Sequence, residues 1–354
     1  MTAESKLPLR TGSGWKEVRP RPTGWRIAWE SGGRLRIAST DFAAIRDGGP
    51  VGPVDSPLAF DPDEGWLYRY ACPAWSSERG GNGIARVAPG SGAREIHFPL
   101  HPLRWVPWLL QKVPGKPLLV GLVVTDASRS DRPGVILRHQ IGLFQTTERK
   151  SLYRPLPAGC QHPVAAATEN DRLLFHGPDG YQIVDLRGRR QLLLSDPAWG
   201  DGRGGGAFRP TRGELAIGGP ALALYRMAAR ERVALAGAGA FPAWVDAGRG
   251  LFFAENSGHL ALLDPESGER EEIVSIPANS YPEWKRARPA TSSPDERYFA
   301  LPLTRRAPFH AETVRADQPS WSERQTLVIG DRHRKELWQH PGPVHQCAWA
   351  GKEE

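Results

Sequence analysis

Two segments of the sequence combine cysteine with histidine at a spacing that could bind a metal ion. Cys160 and His162 stand two residues apart, and His345 and Cys347 repeat the pair in reverse order. Residues two apart on a β-strand point to the same side, so each pair could offer a thiolate and an imidazole, both of which zinc accepts as ligands. The first chemistry to weigh is therefore a zinc site shared by two cysteines and two histidines.

A second set combines histidines with arginines. Histidine binds divalent ions and exchanges protons near neutral pH, and arginine binds carboxylates through two parallel hydrogen bonds. Together they could hold an anionic ligand. The residues of this set are His101, His162, Arg286, Arg288 and His345. Whether either set forms a site depends on the elements that position these side chains.

The composition indicates many short strands in a protein that does not enter a membrane. The 354 residues include 13 Trp, 39 Gly and 33 Pro, which is typical of a turn-rich β protein. The first ten residues contain no apolar leader, and the apolar run at 117–125 is too short to span a bilayer. We expect a cytoplasmic protein, in which the three cysteines stay reduced.

The positive charge does not predict a nucleic-acid surface. The formal net charge is +7, but the basic residues are scattered over hairpins and loops rather than gathered in one stripe. No helix-turn-helix pattern or RNA-recognition motif is present. Solvated strand edges explain the charge better, and we do not expect a nucleic-acid partner.

An internal repeat accounts for most of the chain. Six segments each combine a short apolar strand, a turn rich in Pro, Asp or Gly, and a second apolar strand. They begin at intervals of roughly 35 to 60 residues, as expected for four-stranded propeller blades. The segments are 56–70, 101–123, 162–176, 204–218, 240–254 and 287–301.

The two ends of the chain supply one further blade. Three strands within 24–47 lack an inner partner, and 343–350 has the character of an innermost strand without its blade. Pairing them closes the ring and removes open sheet edges. The sequence thus predicts an all-β fold, a single seven-bladed β-propeller of four-stranded antiparallel blades over 21–354, with 1–20 as an N-terminal extension.

Two turns resemble those of a known family. Residues 60–65 read FDPDEG and residues 292–297 read SSPDER. These are similar to the SPDG turns of TolB-like and WD-repeat-like propellers, although no blade has the Gly-His and Trp-Asp signature of standard WD repeats. The resemblance implies the propeller fold and no particular activity.

The order of strands in a propeller predicts which residues share a face. The connections between blades lie on the same face as the loops between the second and third strands of each blade, and they surround the central channel. His101, His162, Arg286, Arg288 and His345 would therefore meet at one channel mouth.

Three long insertions rise from the same face, at 72–83, 126–135 and 306–324. Long loops gathered on one side of a rigid scaffold are where binding usually occurs. Their aromatic residues are either anchors for a partner or a cover for the loops' own backbone. The residues concerned are Trp75, Phe309, His310 and Trp321.

The predicted ring disfavours the shared zinc site. Cys160 and Cys347 would begin blades on nearly opposite sides of the channel, whereas a zinc ion holds all its ligands at about 2.0 to 2.3 Å. Buried structural cysteines are the better interpretation. A divalent ion held by His101 and His162 on neighbouring blades stays as an alternative.

The dipeptides His101-Pro102 and His162-Pro163 give a resemblance to oligogalacturonate-lyase-like propellers, which use channel histidines and a metal on an acidic sugar. That resemblance implies a metal-assisted lyase or hydrolase acting on an anionic substrate, with Arg286 or Arg288 binding the substrate carboxylate.

Other catalytic signals are missing from the sequence. There is no G-x-S-x-G nucleophile motif, and the Gly-rich run at 200–206 does not join a strand to a helix as phosphate loops do. We therefore expect a non-catalytic propeller without a cofactor that binds a partner protein, or an anionic small ligand, on the face with the insertions. The alternative is the enzyme described above, with one divalent metal ion.

Overall fold

The computed structural model describes most of the chain between residues 9 and 352. The gaps in this description are 32–33, 51–57, 72–81, 107–108, 127–136, 168–170, 196–203, 211, 238, 246–247, 256–258, 276–290, 309–320, 343 and 345–346. The side chains of residues 50, 303–308 and 321–325 also lie outside it. Among the described residues, no helix is long and apolar enough to cross a membrane.

The strands form seven sheets, which we number as blades one to seven in chain order. From the innermost strand outward, blade one contains β31 (Cys347–Lys352), β3 (Trp25–Ser31), β4 (Arg34–Ser39) and β5 (Ile45–Pro50). Blade two contains β6 (Leu58–Asp61), β7 (Trp66–Ala71), β8 (Gly83–Val87) and β9 (Arg94–Pro99). In blade three, β10 (Arg104–Trp105) and β11 (Leu110–Lys112) share the innermost position, followed by β12 (Leu118–Asp126), β13 (Leu137–Gln145) and β14 (Lys150–Pro155).

The other four blades follow the same order. Blade four contains β15 (His162–Ala167), β16 (Arg172–Gly177), β17 (Gly180–Asp185) and β18 (Arg190–Leu194). Blade five contains β19 (Gly206–Phe208), β20 (Glu214–Ile217), β21 (Leu222–Arg226) and β22 (Glu231–Ala236). Blade six contains β23 (Gly239–Val245), β24 (Gly250–Glu255), β25 (His259–Leu263) and β26 (Arg270–Ser275), and β1 (Arg10–Thr11) is added outside β26. Blade seven contains β27 (Thr291–Ser292), β28 (Tyr298–Pro308), β29 (Trp321–Asp331) and β30 (Glu336–Pro341), and β2 (Lys16–Glu17) is added outside β30.

The predicted seven-bladed propeller is confirmed by this pairing. Each blade is a meander in which successive strands pair antiparallel. In blade one the C-terminal β31 pairs with the N-terminal β3, with Ala28 opposite Ala348. The ring is thus closed by strands from both ends of the chain, as the sequence predicts.

The hydrophobic core is divided among the junctions between blades. The buried residues form seven clusters, and each cluster joins two neighbouring blades, including blades seven and one. The middle strands are covered on both sides and are therefore largely buried. In β24, five consecutive residues from Gly250 to Ala254 are buried. Adjacent sheets thus stabilise one another, and no blade has a core of its own.

The FDPDEG and SSPDER segments form turns between the first and second strands of their blades. The Oδ1 atom of Asp61 accepts hydrogen bonds from the backbone N–H of Asp63 at 3.0 Å and of Glu64 at 3.3 Å. Gly65 adopts a left-handed φ of 72°, and in the second turn the left-handed residue is Glu296, one position earlier in the motif, with a φ of 56°. These hydrogen bonds and angles explain the motif as turn chemistry.

Candidate functional site

The propeller has two faces, and the sequence prediction assigns the candidate site residues to one of them. We call it the insertion face: the side that carries the connections between blades and the loops between the second and third strands of each blade. Several residues predicted to lie there are outside the described part of the chain: Trp75, Arg286, Arg288, Phe309, His310 and His345. Trp321 is described by its backbone alone, which pairs with Pro308.

The two described histidines of the predicted channel mouth lie on neighbouring blades. His101 is exposed and precedes β10 of blade three, where its Nδ1 atom accepts a hydrogen bond from the Leu103 N–H at 3.3 Å. Its carbonyl oxygen accepts a second bond from Asn82 Nδ2 at 2.9 Å. His162 is exposed and begins β15 of blade four. With Nδ1 engaged, His101 has Nε2 for any further interaction.

His162 has two histidine neighbours that the sequence reasoning missed. Burial lowers the pKa of His139 on β13, and electrostatic repulsion from the nearby His162 lowers this pKa further. His176 on β16 lies opposite His162 in the strand register, and its ring packs edge-on against Tyr181 at 4.9 Å. Strand register brings His176 opposite His162, and the packing of blade three against blade four brings His139 near it.

These histidines do not make a metal centre by themselves. Within the part of the chain that the structure describes, no group of three or more His, Cys, Asp or Glu could hold a metal ion. A pair of ligands completed by solvent is a weaker arrangement, and the ion held by His101 and His162 stays a prediction.

The two cysteines of the opening motif pack in different parts of the ring. Cys160 is buried at the junction of blades three and four, and its thiol donates a hydrogen bond to Gln182 Oε1 at 3.6 Å. Burial raises the pKa of the Cys160 thiol to about 11. Cys347 is buried at the junction of blades seven and one. Both occupy hydrophobic clusters, as structural cysteines do.

A hairpin of blade seven extends beyond the rest of its sheet on the insertion face. β28 and β29 pair from Tyr298 opposite Asp331 to Pro308 opposite Trp321. The inner neighbour β27 pairs only as far as Ala300, and the outer neighbour β30 pairs with β29 only as far as Thr326. Residues 304–308 and 321–325 therefore pair only with each other among the described strands. We call them the blade-seven ribbon.

The length of the hairpin sets how far the ribbon rises. β28 and β29 contain 11 residues each, whereas β24 at the same position in blade six contains 6. Five additional residues extend a strand by about 17 Å at about 3.4 Å per residue. Part of the predicted insertion 306–324 is thus strand, and it continues past the paired ends of β27 and β30.

Blade three exposes apolar side chains at the same face. β12 and β13 pair up to Asp126 opposite Leu137, where the predicted insertion 126–135 begins. The Asp126 N–H donates to the Leu103 carbonyl at 2.9 Å, so the two leucines lie on either side of the end of β12. Leu103 is 48% exposed and Leu137 is 45% exposed. Two exposed leucines thus flank this end of blade three, where His101 precedes β10.

The opposite face carries a cavity that none of the sequence-predicted residues lines. It has a volume of about 510 Å³ and lies where the turns of blades six and seven meet the N-terminal segment. Its lining combines carboxylates, a guanidinium and an indole: Trp15, Leu262, Glu271, Pro294, Asp295, Glu296, Arg332 and His333. No sequence motif indicates this cavity, because these residues come from five separate parts of the chain.

Comparisons with known proteins add information at the level of the fold. No protein-family model matches the chain, and the search of curated proteins finds no match. TolB from Acinetobacter baumannii aligns with a TM-score of 0.49 and 15% identity over 96% of this chain and 69% of that chain. Hydrazine synthase from Kuenenia stuttgartiensis aligns with a TM-score of 0.42 and 14% identity over 66% of this chain and 65% of that chain. The expected likeness to TolB-like propellers is met as a likeness of fold, and it carries no argument about function.

Proposed function

We propose that the protein is a non-catalytic scaffold that binds a partner protein on the insertion face. The observation that carries the proposal is the blade-seven ribbon, which extends past both neighbouring strands of its sheet. Propellers commonly serve protein interactions, and extended segments on a rigid ring are suited to binding.

The ribbon offers a way to bind another protein. A two-stranded ribbon has backbone N–H and C=O groups along both edges, and a partner strand can pair with such an edge. Its sequence, TRRAP and WSERQ, has three arginines and one glutamate. An acidic partner segment fits this charge best.

The exposed leucines of blade three also favour binding on the insertion face. Single exposed leucines are common on protein surfaces, but Leu103 and Leu137 flank the same end of β12, next to a predicted insertion. Apolar contacts there would add to strand pairing at the ribbon. A partner that covers both must reach from blade seven to blade three, across the channel mouth at which the sequence predicts His101 and His162.

The proposal includes a cytoplasmic location and no cofactor. No described contact favours the metal-assisted lyase over this function. Metal analysis of protein purified without chelators distinguishes the two. A scaffold should contain only substoichiometric metal, whereas one divalent ion per chain, lost in His162→Ala, would support the enzyme.

The test removes the ribbon and leaves the ring intact. In the ribbon-less variant, an Asn-Gly turn replaces residues 304–325 and joins Leu303 to Thr326. The ring should fold normally, because neither β27 nor β30 pairs with the ribbon. Proteins captured by the wild type are identified, and the affinity of the purified partner is then measured for both forms.

We expect the ribbon-less variant to lose binding with an unchanged unfolding midpoint. Leu103→Ser should weaken binding, and its matched control is Leu152→Ser, which changes a leucine that is 46% exposed on outer strand β14. Unchanged affinity in the ribbon-less variant would contradict the proposal.

A further inference from the structure

The N-terminal segment crosses the outer edges of blades six and seven. Residues 9–18, which we call the strap, contain β1 and β2. β1 pairs antiparallel with β26, with Arg10 opposite Ser275, and β2 pairs parallel with β30, with Lys16 opposite Glu336. One segment that belongs to neither meander thus covers two sheet edges.

The path of the strap between its two strands requires glycine. The Gly12 N–H donates to the Ile273 carbonyl at 2.9 Å. A Cβ atom on residue 12 would lie 1.8 Å from the Glu272 carbonyl oxygen, a distance that no real Cβ contact shows. Gly14 has a φ of 82°, which other residues adopt only with strain. The strap therefore follows the edge of blade six too closely for a side chain at position 12.

Trp15 anchors the strap between the blades. The indole is 5% exposed and packs edge-on against Phe299 with ring centroids 6.0 Å apart. Its Nε1 atom donates to Glu271 Oε1 at 3.0 Å, and the same carboxylate accepts a bond from Lys335. A buried aromatic ring with one satisfied polar atom is the usual anchor of a recognised peptide.

The charges of the strap and the ring are complementary. Lys16 Nζ lies 3.1 Å from Glu336 Oε1. Glu271 and Glu272 stand on the edge strand of blade six, where Glu271 accepts the Trp15 hydrogen bond and the Glu272 carbonyl lies against Gly12. A segment with a basic residue directly after the Trp position therefore fits this edge, and the strap also carries Arg10 before the Gly position.

An open cavity lies next to the pocket that Trp15 of the strap occupies. The cavity of about 510 Å³ on the opposite face is lined by Trp15 and Glu271 and extends to Arg332 and His333. The strap fills the indole pocket and leaves this neighbouring volume open. A longer segment bound in the same way has room to continue along the turns of blade seven.

We propose that the edges of β26 and β30, with the Trp15 pocket between them, form a peptide-binding groove that the strap occupies in the isolated chain. The partner is an extended protein segment with a glycine three residues before a tryptophan and basic residues around them. Backbone pairing with the two edges supplies affinity, and the indole pocket and the glycine contact supply specificity. This surface is separate from the insertion face.

The strap lowers the apparent affinity of the groove for such a partner. Because it is tethered, it competes at an effective concentration in the millimolar range for a short linker. The groove is then accessible only to a stronger segment or to one that displaces the strap from the edge of blade seven.

Exchange of the strap in trans tests the proposal. A sequence for a site-specific protease is inserted after Arg19, which keeps every strap contact and leaves Arg21 in its ion pair with Asp331. The folded protein is cut and mixed with a fluorescent peptide of residues 9–19, LRTGSGWKEVR. Fluorescence anisotropy and size-exclusion chromatography measure the peptide held by the ring.

We expect the cut ring to take up one peptide per chain, while the uncut protein binds at least ten times more weakly. Peptides with Gly12→Ala or Trp15→Ala should lose at least tenfold in affinity. Ser13→Ala, at an exposed position of the same turn, is the matched control and should bind like the parent peptide. A cut ring that stays folded but takes up no peptide would overturn the proposal, as would unfolding on strap release or equal binding of the Gly12→Ala peptide.

Discussion

Closure of the ring by the C-terminal strand can be tested at Trp349. This residue lies on β31 opposite Ile27 and is 4% exposed in the cluster that joins blades seven and one. Its Nε1 atom donates to the Thr291 carbonyl of blade seven at 3.0 Å. One side chain near the C-terminus thus joins blade one to blade seven.

Two substitutions separate its packing from its hydrogen bond. Trp349→Ala leaves a large cavity, and burial of this degree implies a loss of about 3 to 5 kcal/mol in the free energy of unfolding. Trp349→Phe keeps an aromatic ring but leaves the Thr291 carbonyl without the indole donor, which costs about 1 to 3 kcal/mol. Alanine should therefore destabilise the protein more than phenylalanine does.

The assay is denaturant unfolding followed by circular dichroism. Leu152→Ala is the control, because this side chain is 46% exposed on an outer strand and its truncation should change stability by less than about 0.5 kcal/mol. A loss below about 1 kcal/mol in Trp349→Ala would refute the reasoning, since it would mean that the terminal strand does not hold the ring closed.

Buried polar groups support three further predictions. Lys112 Nζ lies 3.0 Å from the fully buried Asp61, so Lys112→Met should destabilise the protein by about 3 to 5 kcal/mol, and adding Asp61→Asn should recover part of that loss in denaturant unfolding. Burial raises the pKa of Asp331, but hydrogen bonds, first from Arg297, outweigh burial and lower it overall. Its contribution is therefore complete above an unfolded-state pKa of about 3.9 and is lost as pH falls through the lower folded pKa, so acid titrations should show a shallower loss of stability in Asp331→Asn than in the wild type. With a pKa of about 11, the Cys160 thiol should react with iodoacetamide at pH 7.5 about a hundredfold more slowly in the folded protein than in denaturant, and equal rates would contradict its burial.

The fold can largely be predicted from the sequence because each blade repeats one local pattern. Hairpin turns such as that at 60–65 separate apolar strands, and the unpaired strands at both ends leave one way to close the ring. The position of the strap cannot be predicted in this way. β1 and β2 have two residues each, and their contacts lie far along the chain, as between Trp15 and Glu271, which are 256 residues apart.

The candidate sites are less predictable from the sequence than the fold is. Strand order places His101 and His162 on one face, but the neighbours of His162 depend on register across two blades. The sequence predicts an insertion where the blade-seven ribbon lies, and only the pairing from Tyr298 to Pro308 shows that strands continue into it. The cavity beside Trp15 gathers residues whose separate sequences carry no motif.

The most direct test of the proposed function is hydrogen–deuterium exchange of the protein alone and with its purified partner. Binding on the insertion face should slow exchange of the ribbon amides at 304–307 and 321–325 and of those around Leu103. The turns of the other face, such as that at 264–269, should be unchanged. Protection confined to that other face or to the strap, with the ribbon exchanging as before, would contradict the proposed binding surface.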